Sequence, residues 1–242
     1  MSLLVAEGIR KSYRAGRADV PALRHLDLKV EAGEFLAIMG PSGCGKTTLL
    51  NCLSGLDTVD AGRIVLEGKD LARLSDRKRT RHRGERVGFV FQSFHLVPVL
   101  SALQNVQLPL ELRGMAKAEA RQRSLEALDA VGVADQKDKL PLEMSGGQQQ
   151  RVAIARALAH EPAVVFADEP TGNLDTHTGA EVLDLFQALN QEQGATFLVV
   201  THDERVAARA TRVVHMDSGA IVRDERRAAP ASRKPAGRRP AA

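Results

Sequence analysis

The segment Gly40-Pro41-Ser42-Gly43-Cys44-Gly45-Lys46-Thr47 decides the fold of this chain. It follows the apolar run Phe35–Met39, and a helix is expected to begin near Lys46, so the segment lies between a strand and a helix. In that position backbone N–H groups close around the β- and γ-phosphates of a nucleotide. Lys46 is expected to neutralise phosphate charge, and the Thr47 hydroxyl to ligate Mg²⁺. The predicted nucleotide contacts in this segment are Gly40, Pro41, Ser42, Gly43, Cys44, Gly45, Lys46, Thr47 and Thr48.

Two other apolar runs end in polar side chains. Val164–Ala167 is followed by Asp168 and Glu169, and Phe197–Val200 lies just before His202. Short unbroken apolar strands are typical of parallel sheets buried on both faces, and ligands bind at their carboxyl ends. We predict that Asp168 ligates Mg²⁺, that Glu169 polarises the attacking water and that His202 contacts the γ-phosphate. With the phosphate loop, these residues predict a Mg²⁺-dependent P-loop ATPase, in which Lys46 also takes part in catalysis.

The pattern of apolar residues predicts an α/β fold with two additions to the P-loop core. Short strands with Gly-containing turns, such as Leu3–Val5 and Leu26–Val30, predict an antiparallel β subdomain. The Leu-rich stretch of about 96–158 predicts an inserted helical subdomain, and the later alternation of strand and helix predicts a parallel sheet. We expect one domain over 1–225. The basic, Ala- and Pro-rich tail 226–242 cannot bury a core and is expected to be disordered.

A second anion site is predicted where Ser145-Gly146-Gly147-Gln148 precedes the helical run Gln149–Ala159. One subunit has little use for two helix N-termini on the same γ-phosphate. If a second copy supplies this segment from the opposite side of the nucleotide, both helix N-termini can bind phosphate. We therefore expect a homodimer with ATP between its subunits. At this point the chain closely resembles the ABC transporter ATPase family, whose signature usually reads Leu-Ser-Gly-Gly-Gln. Here Met144 takes the place of the leucine, which is a volume-conserving apolar change.

The resemblance covers the whole predicted domain and implies further site residues. Tyr13 would stack on adenine, and Val20 would lie beside the ribose. Gln92 matches the Q-loop glutamine, which ligates Mg²⁺, senses the attacking water and links the two lobes. The stretch Asn173-Leu174-Asp175 resembles the D-loop, so Asp175 would cross the dimer interface together with the signature residues. Its first residue is Asn where many members of the family have Ser.

The segments Val87–Leu96 and Leu108–Gly114 resemble a narrower branch of the family, which contains the lipoprotein-release ATPase LolD, the macrolide-export ATPase MacB and YbbA-like ATPases. The resemblance implies an integral-membrane permease with a large periplasmic domain as partner, here as a separate subunit. The ATPase would lie in the cytoplasm, on the inner face of the cell membrane. The segment Gln92–Leu100 is expected to transmit motion to the permease. Phe94, Leu96 and Val97 are candidate contacts, and a buried junction between lobes explains these residues equally well.

The composition agrees with a cytosolic globular protein. The chain has 242 residues, of which 43% are hydrophobic and 26% charged, and no apolar stretch approaches the roughly 18 to 20 residues that span a bilayer. Aromatic residues make up only 3% and do not interleave with the basic clusters, so we expect no nucleic-acid partner. Two alternatives stay open: an ABC ATPase that regulates envelope or cell-division machinery without transport, and a nucleic-acid-associated ABC ATPase.

Overall fold

Two β-sheets form the framework of the computed structural model, which describes residues 2–16 and 18–227. The smaller sheet is antiparallel, has the order β2-β1-β4-β5 and consists of Ser2–Ala15 (β1), Ala18–Glu31 (β2), Ala61–Leu66 (β4) and Lys69–Asp70 (β5). The larger sheet has the order β10-β9-β3-β8-β7-β6 and consists of Phe35–Met39 (β3), Val87–Phe91 (β6), Val164–Asp168 (β7), Phe197–Thr201 (β8), Arg212–Asp217 (β9) and Ala220–Arg226 (β10). All of its neighbouring strands are parallel except the β9–β10 pair. The predicted α/β fold and antiparallel β subdomain are confirmed.

The helices connect the strands and build the insertion. They are Lys46–Leu53 (α1), Asp76–Arg86 (α2), Ala102–Leu112 (α3), Lys117–Ala130 (α4), Gly146–Leu158 (α5), Thr176–Gln193 (α6) and Glu204–Ala207 (α7). Helices α3, α4 and α5 pack against one another and form the predicted helical insertion. Among the described residues, no helix is long and apolar enough to cross a membrane.

The larger sheet is buried on both faces. Successive side chains of a strand point to opposite faces, and β3 shows the result: Phe35 and Ala37 lie in one apolar core, while Leu36 and Ile38 lie in the other. The first core contains residues of α3 to α6, and the second contains α1 and the antiparallel sheet. Because the strand interiors are apolar on both sides, polar chemistry is confined to the strand ends.

Helix α5 joins the insertion to the sheet. Its residues Val152, Ile154 and Ala155 are buried in the same core as Val90 of β6 and Val165 of β7. The helical insertion therefore rests on β6 and shares the core of the sheet.

The last strand extends into the predicted tail. Strand β10 includes Arg226, and the main-chain N–H of Arg227 donates to the carbonyl of Thr211 at 2.8 Å. The Arg227 guanidinium donates to the carbonyl of Ala207 at 3.1 Å. These two residues belong to the folded domain because β10 pairs with β9, whereas the expectation placed them in the tail. The rest of that predicted tail, 228–242, lies outside the described residues.

Candidate functional site

The strand register gathers the predicted site residues at one edge of the larger sheet. Phe91 of β6 pairs with Asp168 of β7, and Met39 of β3 pairs with Thr201 of β8. The residues that follow these strand ends emerge side by side at the carboxyl edge, and they are Gly40, Gln92, Glu169 and His202. This edge is where ligands bind in open α/β sheets.

The phosphate loop wraps the N-terminus of α1 closely. Gly45 has φ +101°, and a Cβ there would lie 2.4 Å from the carbonyl oxygen of Ala22, so only glycine fits. No side chain of the described residues caps α1, which leaves its first N–H groups available to an anion. Lys46 Nζ donates to the main-chain oxygens of Gly40 at 2.7 Å and Pro41 at 3.0 Å, so the ammonium lies across the loop.

The remaining loop residues differ in exposure. Pro41, Ser42, Gly43 and Thr47 are exposed, Gly40, Gly45, Lys46 and Thr48 are half-buried, and Cys44 is buried. The carbonyl of Cys44 accepts from the N–H of Gly219 at 3.0 Å, which anchors the loop to the β9–β10 turn.

Asp168 and Thr47 fit a divalent cation. The Thr47 hydroxyl lies 3.4 and 3.3 Å from the two carboxylate oxygens of Asp168, which is long for an O–H···O hydrogen bond. Burial raises the pKa of Asp168, the nearby Glu169 charge adds to the rise, and Thr47 and Lys46 oppose it. No group of three or more His, Cys, Asp or Glu side chains poised for a metal occurs in the described ranges. A Mg²⁺–nucleotide site needs only one or two protein oxygens beside phosphate and water, so the pair suffices.

Glu169 is held by three donors. Its Oε2 accepts from the Thr201 hydroxyl at 2.9 Å, and its Oε1 lies 3.1 Å from the His202 N–H and 2.8 Å from His202 Nδ1. The Glu169 backbone has φ +45°, a left-handed conformation that is costly for a residue with a side chain and clusters at active sites. The His202 side chain is 73% exposed and that of Glu169 is 19% exposed, so the imidazole is free to turn while the carboxylate is fixed. The contribution of Thr201 was not anticipated from the sequence.

Tyr13 and Val20 form an exposed pair beside the phosphate loop. They are cross-strand partners in the β1–β2 hairpin and are 41% and 51% exposed. The Tyr13 hydroxyl donates to Asp57 at 2.8 Å, and burial together with this bond raises the pKa of Tyr13. The ammonium of Lys11, which is 8% exposed, donates to the other oxygen of Asp57 at 3.0 Å. Lys11 and Asp57, which sequence reasoning missed, therefore fix the tyrosine ring.

The signature segment begins α5. Ser145 caps the helix by accepting from the N–H of Gln148 at 3.3 Å, and Gln148 Oε1 accepts from the N–H of Ser145 at 2.9 Å. Ser145 is exposed, Gly146 and Gln148 are half-buried, and Gly147 is buried against Thr178. Within the part of the chain that the structure describes, no hydrogen bond joins this segment to the phosphate loop.

Asp175 and Gln92 both make bonds within their own chain. Asp175 caps α6 by accepting from the N–H groups of His177 and Thr178, each at 3.0 Å, and the Thr178 hydroxyl bond is the main reason why its pKa is lowered. Gln92 is exposed, and its Nε2 donates to Asn173 Oδ1 at 3.0 Å. The predicted roles of Asp175 at a dimer interface and of Gln92 at a metal stay predictions.

A groove of about 320 Å³ lies along the outer edge of β6, between the sheet and the helical insertion. Its lining includes Phe91, His95 and Arg113. Phe94 does not line this groove; its ring lies near Gly146 at the start of α5, which favours the buried-junction interpretation of that residue.

Comparison with known proteins identifies the family. The model of the ABC transporter family matches residues 23–172. The chain is 49% identical to the lipoprotein-releasing system ATP-binding protein LolD of Anaeromyxobacter dehalogenans, over 90% of this chain and 91% of that protein. It is 48% identical to the macrolide export ATP-binding/permease protein MacB of Syntrophobacter fumaroxidans, over 91% of this chain but 31% of that protein.

A solved structure agrees with these similarities. The dimeric ATP-binding cassette MJ0796, in a post-hydrolysis state bound to ADP and phosphate, has a TM-score of 0.84 to this chain and is 40% identical to it, with 92% of this chain and 98% of that chain covered. The P-loop fold with its helical insertion is therefore that of an ABC cassette. The chain belongs to the ABC transporter family, as an ATP-binding and ATP-hydrolysing subunit of the LolD/MacB type.

Proposed function

We propose that two copies of this chain close around two ATP molecules and drive a separate permease from the cytoplasmic face of the cell membrane. The observation that carries the dimer is the exposed Ser145 at the start of α5, whose bonds among the described residues are all with its own helix, to Gln148 and Gln149. A helix N-terminus with small residues is an anion site. When a second copy closes over the phosphate loop, the γ-phosphate bound to one copy would lie against the start of α5 in the other.

Each ATP would bind to both subunits. In one copy the adenine stacks on Tyr13 with the ribose beside Val20, and the phosphates bind the first N–H groups of α1 and the Lys46 ammonium. In the opposite copy Ser145 and Gly147 donate to the γ-phosphate, with Gly146 and Gln148 in the same segment, and Asp175 crosses the interface.

Thr47, Gln92 and Asp168 would hold Mg²⁺, which when bound screens the phosphate charge and polarises the γ-phosphoryl group. The fixed carboxylate of Glu169 accepts a hydrogen bond from the attacking water and orients it in line. The water oxygen bonds to the γ-phosphorus, the bond to the β–γ bridging oxygen breaks, and the products are ADP and phosphate. His202 turns from Glu169 to a γ-phosphate oxygen and stabilises the charge that develops there.

Mixing two inactive variants tests the shared site. Lys46→Ala removes the loop cation. Ser145→Asp keeps an N-cap acceptor for α5 but places a negative charge against the γ-phosphate. In the mixed dimer, one of the two sites has both Lys46 and Ser145 intact. We expect ATPase activity to reappear on mixing; activity no higher than that of either variant alone means that the site is complete within one chain.

The β6 groove would receive the permease. Its neighbouring helix α3 exposes the apolar side chains Leu108, at 37%, and Leu112, at 79%, next to the groove residues Pro109 and Arg113. Exposed apolar side chains beside a groove are typical of a protein contact. The groove is joined to the nucleotide site through β6, which ends at Phe91, one residue before Gln92.

Co-purification with a co-expressed permease of the MacB/LolC type tests that contact. Leu112→Asp is expected to abolish co-purification and to leave the ATPase activity of the isolated chain unchanged, because Leu112 is 79% exposed and α3 carries none of the predicted nucleotide-binding residues. Val222→Asp, at a residue of β10 that is 63% exposed, is the matched control and should bind normally. Normal binding by Leu112→Asp refutes the docking site.

A further inference from the structure

Gln92 and Asn173 form a reciprocal pair of hydrogen bonds. Gln92 Nε2 donates to Asn173 Oδ1 at 3.0 Å, and Asn173 Nδ2 donates to the main-chain oxygen of Gln92 at 3.1 Å. Gly172 allows this contact, because a Cβ at that position would lie 2.7 Å from Gln92 Nε2. The pair joins the end of β6, beside the groove, to the loop that precedes α6.

The main-chain carbonyl fixes the direction of both amides. A carbonyl oxygen can only accept a hydrogen bond, so the NH₂ group of Asn173 must face the main-chain oxygen of Gln92. The Asn173 Oδ1 then faces the side chain of Gln92 and selects its Nε2, since another oxygen there would repel it. The Gln92 Oε1 is left as the atom that points away from Asn173.

Main-chain hydrogen bonds within the loop that carries Asn173 fix the position of this residue. The N–H of Gly172 donates to the carbonyl of Glu169 at 3.0 Å, and the N–H of Leu174 donates to the carbonyl of Thr171 at 3.1 Å. Two such turns in succession hold Asn173 at a set position relative to the carboxyl end of β7.

The direction of the Gln92 amide decides what it can bind. Mg²⁺ takes oxygen ligands, and an NH₂ group turned toward the cation would present two donors instead. A free glutamine amide has no strong preference between the two orientations, which differ by rotation of about 180° around its last torsion.

We propose that Asn173 is a positioning residue that holds the Gln92 amide so that Oε1, and not Nε2, faces the metal and the attacking water. The inference rests on the proposed function, in which Gln92 is a metal ligand. It assigns a role to the D-loop position at which this chain has Asn, and it makes Gln92 depend on the same loop that leads to Asp175.

A double-mutant cycle on metal binding tests this role. Free Mn²⁺ is measured by electron paramagnetic resonance in the presence of ATP, with the Glu169→Gln chain as background so that ATP is not turned over. Asn173→Ala is expected to raise the Mn²⁺ Kd by about three- to tenfold, the effect of freeing one ordered side chain.

The second arm of the cycle replaces Gln92. In Gln92→Glu the two carboxylate oxygens are equivalent, so orientation no longer matters, and Asn173→Ala is expected not to raise the Mn²⁺ Kd. The Kd for ATP in EDTA should be the same in all variants, whereas a merely structural role would change it.

Four results separate the possible failures. The orienting role is overturned if Asn173→Ala raises the Mn²⁺ Kd by the same factor in the Gln92 and Gln92→Glu chains. It is also overturned if Asn173→Ala weakens ATP binding in EDTA by as much as it weakens Mn²⁺ binding. If Gln92→Ala weakens Mn²⁺ binding and Asn173→Ala does not, the inference fails and the proposed metal site stands. If Gln92→Ala leaves Mn²⁺ binding unchanged, Gln92 is not a ligand and the metal role in the proposed function fails with the inference.

Discussion

Arg156 on α5 holds the segment 93–97, which follows β6, and its replacement should lower the free energy of unfolding. Its guanidinium donates to the main-chain oxygens of His95 and, at 2.7 Å, of Phe94. These two residues have φ values of +48° and +58°. Arg156→Met keeps the length of the side chain and removes both bonds.

The expected loss in the free energy of unfolding is the difference between two opposing contributions. Two left-handed residues with side chains cost about 1–2 kcal/mol each, and hydrogen bonds from a charged donor contribute about 1.5–3 kcal/mol each. Burial lowers the pKa of Arg156, which shows that the guanidinium loses hydration in its site. We expect Arg156→Met to lower the free energy of unfolding by about 1–3 kcal/mol, which corresponds to a fall in Tm of about 2–12 °C for a chain of this length.

Chemical and thermal unfolding measure this loss, and hydrogen exchange locates it. Exchange should rise in 93–97 and stay low in β7. Arg123→Met is the matched control: its partners Glu119 and Glu161 lie at 3.3 and 3.5 Å on the surface, and such pairs contribute about 0–1 kcal/mol. In the Arg156→Met chain, a further His95→Gly should recover about 1 kcal/mol because glycine adopts a left-handed conformation without strain. The reasoning is refuted if Arg156→Met costs no more than Arg123→Met.

Three further changes have defined outcomes. Burial lowers the pKa of His160 to about 4, so the folded protein should lose up to about 3 kcal/mol as pH falls from 7 to 4, because the unfolded chain takes up the proton first; pH-dependent urea unfolding should show a flatter profile for His160→Gln than for wild type. Gly45→Ala should abolish ATP binding measured by calorimetry, whereas Gly43→Ala, which meets no atom within 4 Å, should reduce it only through backbone strain. Tyr13→Ala should weaken ATP binding by about tenfold through loss of base stacking, and Tyr13→Phe, which keeps the ring, should bind within about threefold of wild type; equal losses in both variants would count against stacking.

The strand ends of the larger sheet could be predicted because burial on both faces leaves a clear signal. Val164–Ala167 and Phe197–Val200 are unbroken apolar runs, and the structure has β7 and β8 there with one polar residue more in each. The same argument placed Asp168, Glu169 and His202 on one edge of the sheet, and the register brings them together.

The lengths of the strands in the antiparallel subdomain were harder to predict. Strands β1 and β2 have 14 residues each, whereas the sequence indicated only Leu3–Val5 and Leu26–Val30. The outer half of β2 is exposed on both sides and shows no alternation, and register shifts interrupt the pairing of β1. A period of two is visible only where one face is buried.

The supporting side chains of the site could not be predicted because their partners are distant in sequence. Tyr13 and Asp57 are 44 positions apart, and Gln92 and Asn173 are 81 apart. The sequence position of a polar residue shows no periodic pattern from which its hydrogen-bond partner can be predicted. Asn173 was noticed only because it departs from the usual residue of the family, and its bond to Gln92 required the fold.

The most direct test of the account compares wild type with Glu169→Gln by size-exclusion chromatography in ATP and Mg²⁺, with ATPase activity measured on the same samples. Glu169→Gln should lose hydrolysis and elute as a dimer only when ATP is present, because the sandwich forms but the water is not activated. Hydrolysis at the wild-type rate contradicts the role of Glu169, and a variant that binds ATP but stays monomeric contradicts the sandwich.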